Sequence, residues 1–313
     1  MENKSEKDYN SLLRFLSENL NGEKIPDVLY QYTDITALKG IVEKNEMWAT
    51  HYKFLNDKNE FNFGLQLAID YAKKHYEKES SKFSKEFLDS LRFINEDCVE
   101  REIYPFPKTD IYTISFSSKG DLLSQWRGYG KKYKSTCIGF LTSSFLHRFN
   151  TERCNYFLQK VVYDTETQKE IIYEFMKREC RVFSNNPADF EDNPHYFNKI
   201  LRLILVKLIM LILCFKENCW REEDEWRIMT IPHNYSTGKP FEIFFNEGDY
   251  GLVPFVKIPL FKSGSAIDSI KEILLPRSEN YITSKKALDL FLNQKKNDNK
   301  IEIKKSDISI VYK

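Results

Sequence analysis

Trp220 to Ile228 reads WREEDEWRI and follows closely on a long apolar segment, Leu201 to Phe215, LRLILVKLIMLILCF. Taken as a strand, its two-residue period sends Glu223, Glu225 and Arg227 to one face, and Trp226 and Ile228 to the other. Two carboxylates and a guanidinium would then share one wall of a cleft, with the indole and the aliphatic side chain anchored in a core behind it. The competing reading is a half-buried strand whose charged face is solvated and self-neutralising. The preceding segment is too short to cross a bilayer and carries Arg202 and Lys207, so it reads as a buried core helix. A helix delivering a half-polar strand is the first sign of a mixed α and β protein.

Composition narrows the class. With 313 residues the chain can bury a substantial core as one large domain or two small ones. Lys plus Arg (47) nearly cancels Asp plus Glu (46), so no global field recruits nucleic acid or an anionic membrane. Aromatic residues reach 15%, with 24 Phe and 18 Tyr, which argues for a packed globular protein. Six cysteines (Cys98, Cys137, Cys154, Cys180, Cys214, Cys219) show no CxxC and no ligand spacing with the five histidines. Reduced thiols in a cytoplasmic protein are the plain reading, and no metal site is expected. MENKSEKDYN lacks an apolar signal core, and no membrane partner is expected.

A pass along the chain gives a polar helix at Asp8 to Leu20, then a strand at Val28 to Tyr32. Thr33 or Asp34 caps a helix at Ile35 to Glu43, and a strand follows at Met47 to Thr50. Glu60 to about Arg101 is charged and amphipathic, hence helical. Ile111 to Ser117, IYTISFS, is rich in β-branched and aromatic residues and reads as a strand, as do Cys137 to Leu141 and Phe157 to Tyr163. Helices follow at Thr167 to Val182 and His195 to Cys219. After the ExExR strand come strands at Phe241 to Phe245, Phe255 to Ile258 and Ile270 to Leu275, a helix at Thr283 to Gln294, and a last strand near Ile308 to Tyr312. The mixture lacks strict βαβ alternation, so the expected class is α+β. Residues 1–27 are expected to form a helical extension. Residues 28–313 are expected to form a single α+β domain with helical insertions at about 60–105 and 165–219.

Two further clusters accompany the ExExR strand. In Leu29 to Glu60, the pair Tyr30 and Tyr32 lies on the first strand, and Asn56 and Asp57 read as a turn and helix cap. In Ile114 to Gly130, Ser115 and Ser117 share one face of a strand, and Asp121 is placed to cap the helix bearing Trp126, Arg127 and Tyr129. No nucleophile elbow surrounds these serines and no histidine is placed to activate them, so the hydroxyls read as ligand-binding groups. Trp126 and Tyr129 serve equally well as core. Phosphate-binding glycine loops are absent, which disfavours Rossmann and P-loop enzymes. Arg277, in LLPRSEN, reads as a solvated turn arginine.

The order of LYxYT (Leu29 to Thr33), a WAT segment running to LND (Trp48 to Asp57), SxS with WRxY (Ser115 to Tyr129), CIGF (Cys137 to Phe140), WxxExEWR (Trp220 to Arg227) and a late LLP (Leu274 to Pro276) resembles a bacterial family, domain of unknown function 2971. The resemblance spans roughly Val28 to Ser278. It implies a setting in phage defence or other mobile genetic contexts, with an antitoxin or defence partner. The same order bears a more distant resemblance to ADP-ribosyltransferases, in which three remote segments build one NAD site.

That second resemblance implies an ADP-ribosyltransferase-like, mainly antiparallel sheet with added helices, and NAD as substrate. Residue by residue, the first position falls on Gln31 or Tyr32, with Tyr30 and Thr33 beside them. The second falls on Ser115 with Ser117, and the third on Glu225 with Glu223 two before it. Gln31 departs from the family pattern because it brings no charge. Cleaving the nicotinamide glycosidic bond develops positive charge on the ribose, which a carboxylate stabilises. Glu225 takes that role. Glu223 orients or deprotonates the acceptor, and Arg227 keeps the pair ionised. Tyr32, Trp126 or Tyr129 would stack the nicotinamide ring, and Arg127 would meet the pyrophosphate. The expected acceptor is water, a protein or a nucleic acid. Two readings compete: a magnesium-dependent nuclease drawing on Asp57 and Glu60, and a non-enzymatic ligand-sensing or protein-interaction module using the same cleft.

Overall fold

A computed structural model describes residues 24–55, 58–76, 82–95, 111–129, 134–145, 156–185, 193–230, 242–248, 251–261, 264–295 and 301–309. The expected helix at Asp8 to Leu20 and the turn at Asn56 and Asp57 lie outside the described residues. The chain divides into two compact units. One holds Glu23–His51, Tyr112–Lys160 and Glu222–Lys313, and the other includes Tyr52–Ile111 and Val161–Arg221.

The first unit is built on a sheet. Its strands are β1 (Val28–Asp34), β2 (Met47–His51), β3 (Tyr112–Ser117), β4 (Ser135–Leu141), β5 (Tyr156–Lys160), β6 (Glu225–Thr230), β7 (Ile243–Gly248), β8 (Gly251–Ile258), β9 (Ile270–Leu275) and β10 (Glu302–Lys305). The path runs β10-β9-β4-β1-β3-β2-β8-β7, with β6 on β3 and β5 on β6. Only the β9 and β10 pair is parallel among these strands. The class is therefore α+β with a mainly antiparallel open sheet.

β3 is the branch point of this sheet. It pairs with β6 along its whole length, from Tyr112 opposite Thr230 to Ser117 opposite Glu225. A strand has two edges, so β1 and β2 share the other one: β2 meets its start, with Thr50 opposite Thr113, and β1 meets its end, with Tyr30 opposite Ser117.

Side-chain alternation then separates two faces. Leu29, Phe116, Ile138, Trp226, Ile228 and Ile273 point into one hydrophobic core, which is completed by Leu38, Ile41 and Val42 of α1 (Ile35–Lys44) and by Leu288 and Leu292 of α7 (Tyr281–Asn293). Burying each large apolar side chain there contributes roughly 1.5–3 kcal/mol. Asp34 caps α1, its side chain accepting from the Ala37 amide at 2.9 Å. The opposite face carries Tyr30, Tyr32, Ser115, Ser117, Gln159, Glu225, Arg227 and Glu272, by the same register. A smaller cluster of Tyr32, Trp126, Cys137 and Leu274 lies on that side, with α4 (Leu123–Tyr129) supplying Trp126.

The second unit is helical: α2 (Lys58–Tyr76), α3 (Lys82–Asn95), α5 (Thr165–Asn185) and α6 (Pro194–Ile212). The expected single helix from Glu60 to about Arg101 is thus two helices, α2 and α3. Helix α6 ends at Ile212, seven residues short of the expected Cys219, and the chain from Asn218 to Glu223 forms a 3-10 turn. α6 is buried along most of its length, and its Lys207 is ion-paired with Glu179 at 2.7 Å. Gly64 lets α2 approach α6 closely, since a Cβ there would lie 2.9 Å from Ile212 Cβ and 3.0 Å from its carbonyl oxygen. Among the described residues, no helix is long and apolar enough to cross a membrane. Among the described residues the last strand is Glu302–Lys305, which the sequence reading did not expect; Ile308 is not in a strand, and the rest of the expected strand near Ile308 to Tyr312 lies outside the described residues.

Candidate functional site

The polar face gathers the three segments singled out by the sequence. Tyr30 of β1, Ser117 of β3 and Glu225 of β6 stand opposite one another in a single cross-strand row. The next row places Ser115 opposite Arg227, and Gln159 of β5 on the far side of Arg227. Arg227 donates twice to Glu225, from Nε to Oε1 at 2.6 Å and from its terminal nitrogen to Oε2 at 2.9 Å. Both residues are buried, Glu225 with 4% and Arg227 with 2% of its surface exposed. The fork geometry matches the two carboxylate oxygens, which makes this a bidentate charge-assisted pair. Trp226 and Ile228 point the other way, into the core.

Glu223 does not share that strand face. It ends the 3-10 turn, and Asp224 follows in the left-handed region, with φ of 42°. This breaks the two-residue period before Glu225, because β geometry begins only there. Glu223 is buried all the same, and its carbonyl accepts from Ser117 Oγ at 2.7 Å.

Gln31 and Thr33 also fall off that face. Gln31 pairs with Ile138 and Thr33 with Thr136, so their side chains alternate to the face opposite Tyr30 and Tyr32. Only Tyr30 and Tyr32 of that quartet lie on the same face as Glu225.

Several predicted ligand-binding groups hold the loop after β3. Ser117 Oγ donates to Glu223 and accepts from the Lys119 amide at 3.0 Å. The Tyr32 hydroxyl donates to the Lys119 carbonyl and accepts from the Leu122 amide, both at 2.8 Å. Burial pushes the Tyr32 phenol well above its ordinary range, which keeps it neutral. Trp126 is fully buried, edge-on to Tyr32 with ring centroids 5.4 Å apart, and its indole N–H donates to Asp121 at 2.6 Å. It is therefore a packed core residue with no open ring face for stacking. Asp121 also accepts from Ser306 Oγ at 2.6 Å and from the Asp307 amide at 2.9 Å, tying the segment after β10 to the start of α4. Arg127 and Tyr129 are exposed on α4, and Arg277 is exposed after β9.

Tyr30 belongs to a network that the sequence reading missed. Its hydroxyl donates to Glu272 Oε1 at 2.7 Å, and Lys304 donates to Glu272 Oε2 at 2.6 Å. The ring crosses β4 over Gly139, where a Cβ would lie 2.9 Å from Tyr30 Cε1 and 3.0 Å from Glu272 Cγ. Burial pushes Glu272 up, but the Lys304 and Tyr30 hydrogen bonds outweigh it and hold the carboxyl below its usual range. Burial and the Glu272 bond both raise the Tyr30 phenol. A lone carboxylate inside the apolar strand IKEILL was the available signal.

Glu60, considered as a remote metal ligand, is ion-paired with Lys216 at 2.6 Å, and Asp57 lies outside the described residues. Among the described residues, no three His, Cys, Asp or Glu side chains are grouped to hold a metal ion.

Residues 125–228, from α4 to β6, match the model of the family described as DUF2971, protein of unknown function. The resemblance read from the sequence thus holds over the stretch carrying WRGY, CIGF and WREEDEWR. No curated protein and no solved structure matches the chain, so the ADP-ribosyltransferase likeness gains no support from that side.

Proposed function

We propose that the protein acts on NAD, as an ADP-ribosyltransferase or NAD glycohydrolase, with Glu225 as the carboxylate that stabilises positive charge on the nicotinamide ribose. The observation that carries this reading is the row of Tyr30, Ser117 and Glu225 across three adjacent strands, with Arg227 fixing the carboxylate. Three segments remote in sequence meet on one polar face, as a three-part site requires. Arg227 fixes the orientation of Glu225 through both carboxylate oxygens, and an oriented carboxylate costs no reorganisation when the ribose becomes cationic. The sheet is accordingly read as ADP-ribosyltransferase-like, and the protein as a cytoplasmic toxin or phage-defence effector whose acceptor is water, a protein or a nucleic acid.

The burial of Glu225 and the full engagement of its two oxygens by Arg227 favour a second reading, a ligand-sensing or protein-interaction module on the same fold. Incubating the purified protein with NAD, with and without cell extract, separates the two. Nicotinamide release supports the enzyme. Absence of release in both conditions removes it in favour of the module.

A further inference from the structure

Three consecutive carbonyls lead into Glu225, and each is held by one of three consecutive residues at the end of β3. The Glu222 carbonyl accepts from Lys119 Nζ at 3.3 Å, the Glu223 carbonyl from Ser117 Oγ at 2.7 Å, and the Asp224 carbonyl from the Ser118 amide at 3.1 Å. The Asp224 carboxylate adds a hydrogen bond from Ser118 Oγ and an ion pair with Lys160 Nζ at 3.3 Å. Asp224 holds a left-handed backbone, φ 42°, a conformation uncommon for residues with a Cβ and tolerated best by Asn and Asp.

From this we infer that Asp224 and Ser118 are positioning residues, setting the backbone from which Glu225 projects. This rests on the proposed role of Glu225 and adds the device that aims it. The Asp224 carbonyl and the Glu225 amide share one planar peptide unit, so holding the carbonyl fixes where Glu225 begins. Ser118 holds Asp224 twice, through its amide to the carbonyl of that unit and through its hydroxyl to the side-chain carboxylate. Lys160 holds the remaining carboxylate oxygen. The left-handed turn at Asp224 also separates the 3-10 turn from β6, and so decides that Glu225, rather than Glu223, opens the strand opposite Ser117.

The test compares Ser118→Ala, Asp224→Ala and Asp224→Asn with wild type. Ser118→Ala removes a donor without straining residue 224, and so remains informative if Asp224→Ala fails to fold. Asn tolerates the left-handed region and still offers Ser118 an acceptor. Expected is a fall of about tenfold to a hundredfold in kcat for nicotinamide release in both Ala variants, with KM for NAD changed less than about twofold, and recovery of most activity in Asp224→Asn. Hydrogen exchange supplies a readout independent of NAD: the amide of residue 118, which donates to the Asp224 carbonyl, should lose protection in Ser118→Ala while amides in the middle of β4 keep theirs. Wild-type kcat in Ser118→Ala, or unchanged protection of the residue 118 amide in that variant, overturns the inference. Should wild type release no nicotinamide, the catalytic reading of Glu225 falls, and the exchange measurement alone decides whether Ser118 and Asp224 hold that backbone.

Discussion

At the scale of single residues, Arg227 donates to both oxygens of a buried carboxylate, so removing it takes the forked cation away from a buried charge. Arg227→Met is expected to destabilise the protein by about 3–5 kcal/mol in urea unfolding. Arg227→Lys should recover only part of that, because an ammonium cannot span two oxygens as a fork does.

Glu272 gives a pH signature. Its folded value lies below its ordinary 4.5, so the stability it contributes is present above that value and is lost as pH falls through the folded one. Asp224, lowered from 3.8 on balance, is raised by burial but held down by Ser118 and Lys160, and it acts in the same direction. Thermal melts should therefore drop on acidification below about pH 4.5, and less steeply in Lys304→Met, where the depression of Glu272 is relieved. An equal drop in both proteins would contradict the role given to Lys304.

Much of this was legible locally. The ExR period placed Glu225 and Arg227 on one face, and Trp226 and Ile228 in the core. Gln31 and Thr33 part from Tyr30 and Tyr32 because a strand alternates its faces, which a contiguous quartet read as one group overlooks. Asp224 went unread because an aspartate is left-handed at only a minority of its positions, so its identity alone does not mark one.

Elements were legible where their pattern was strong. IYTISFS became β3 within a residue of its expected bounds, and the apolar run near Leu201 became the buried α6. The strand at Glu302–Lys305 went unread because EIKK alternates less cleanly than the ISIVY that follows it. Yet Glu302–Lys305 pairs in parallel with β9 and needs little apolar content of its own. Packing between helices was not legible, and Gly64 shows why: its value lies in Ile212, far away in sequence. Ala is better than Gly in a helix interior by about 1 kcal/mol. A Cβ held 3.0 Å from a backbone oxygen cannot be relieved by a rotamer change, and overpacking of that kind costs about 1–3 kcal/mol. Gly64→Ala is therefore expected to be net destabilising, seen as a lower urea midpoint with unchanged slope. A raised midpoint would show that α2 and α6 yield at that contact.

For the molecule as a whole, class could be read from the mixture of elements, but topology could not. The forked edge of β3, shared by β1 and β2, depends on pairings across long stretches of chain that no local pattern encodes. That fork is what brings Tyr30, Ser117 and Glu225 into one row, and the functional proposal stands on the row. The most direct test is the rate of nicotinamide release from NAD by wild type and by Glu225→Gln, each with a thermal melt. Gln keeps the shape and removes the charge that the proposed reaction sets against the ribose, a loss of about 3 kcal/mol or roughly a hundredfold in rate. The account expects that loss with the protein still folded. Equal rates in two folded proteins, or no release by wild type with or without cell extract, would contradict it.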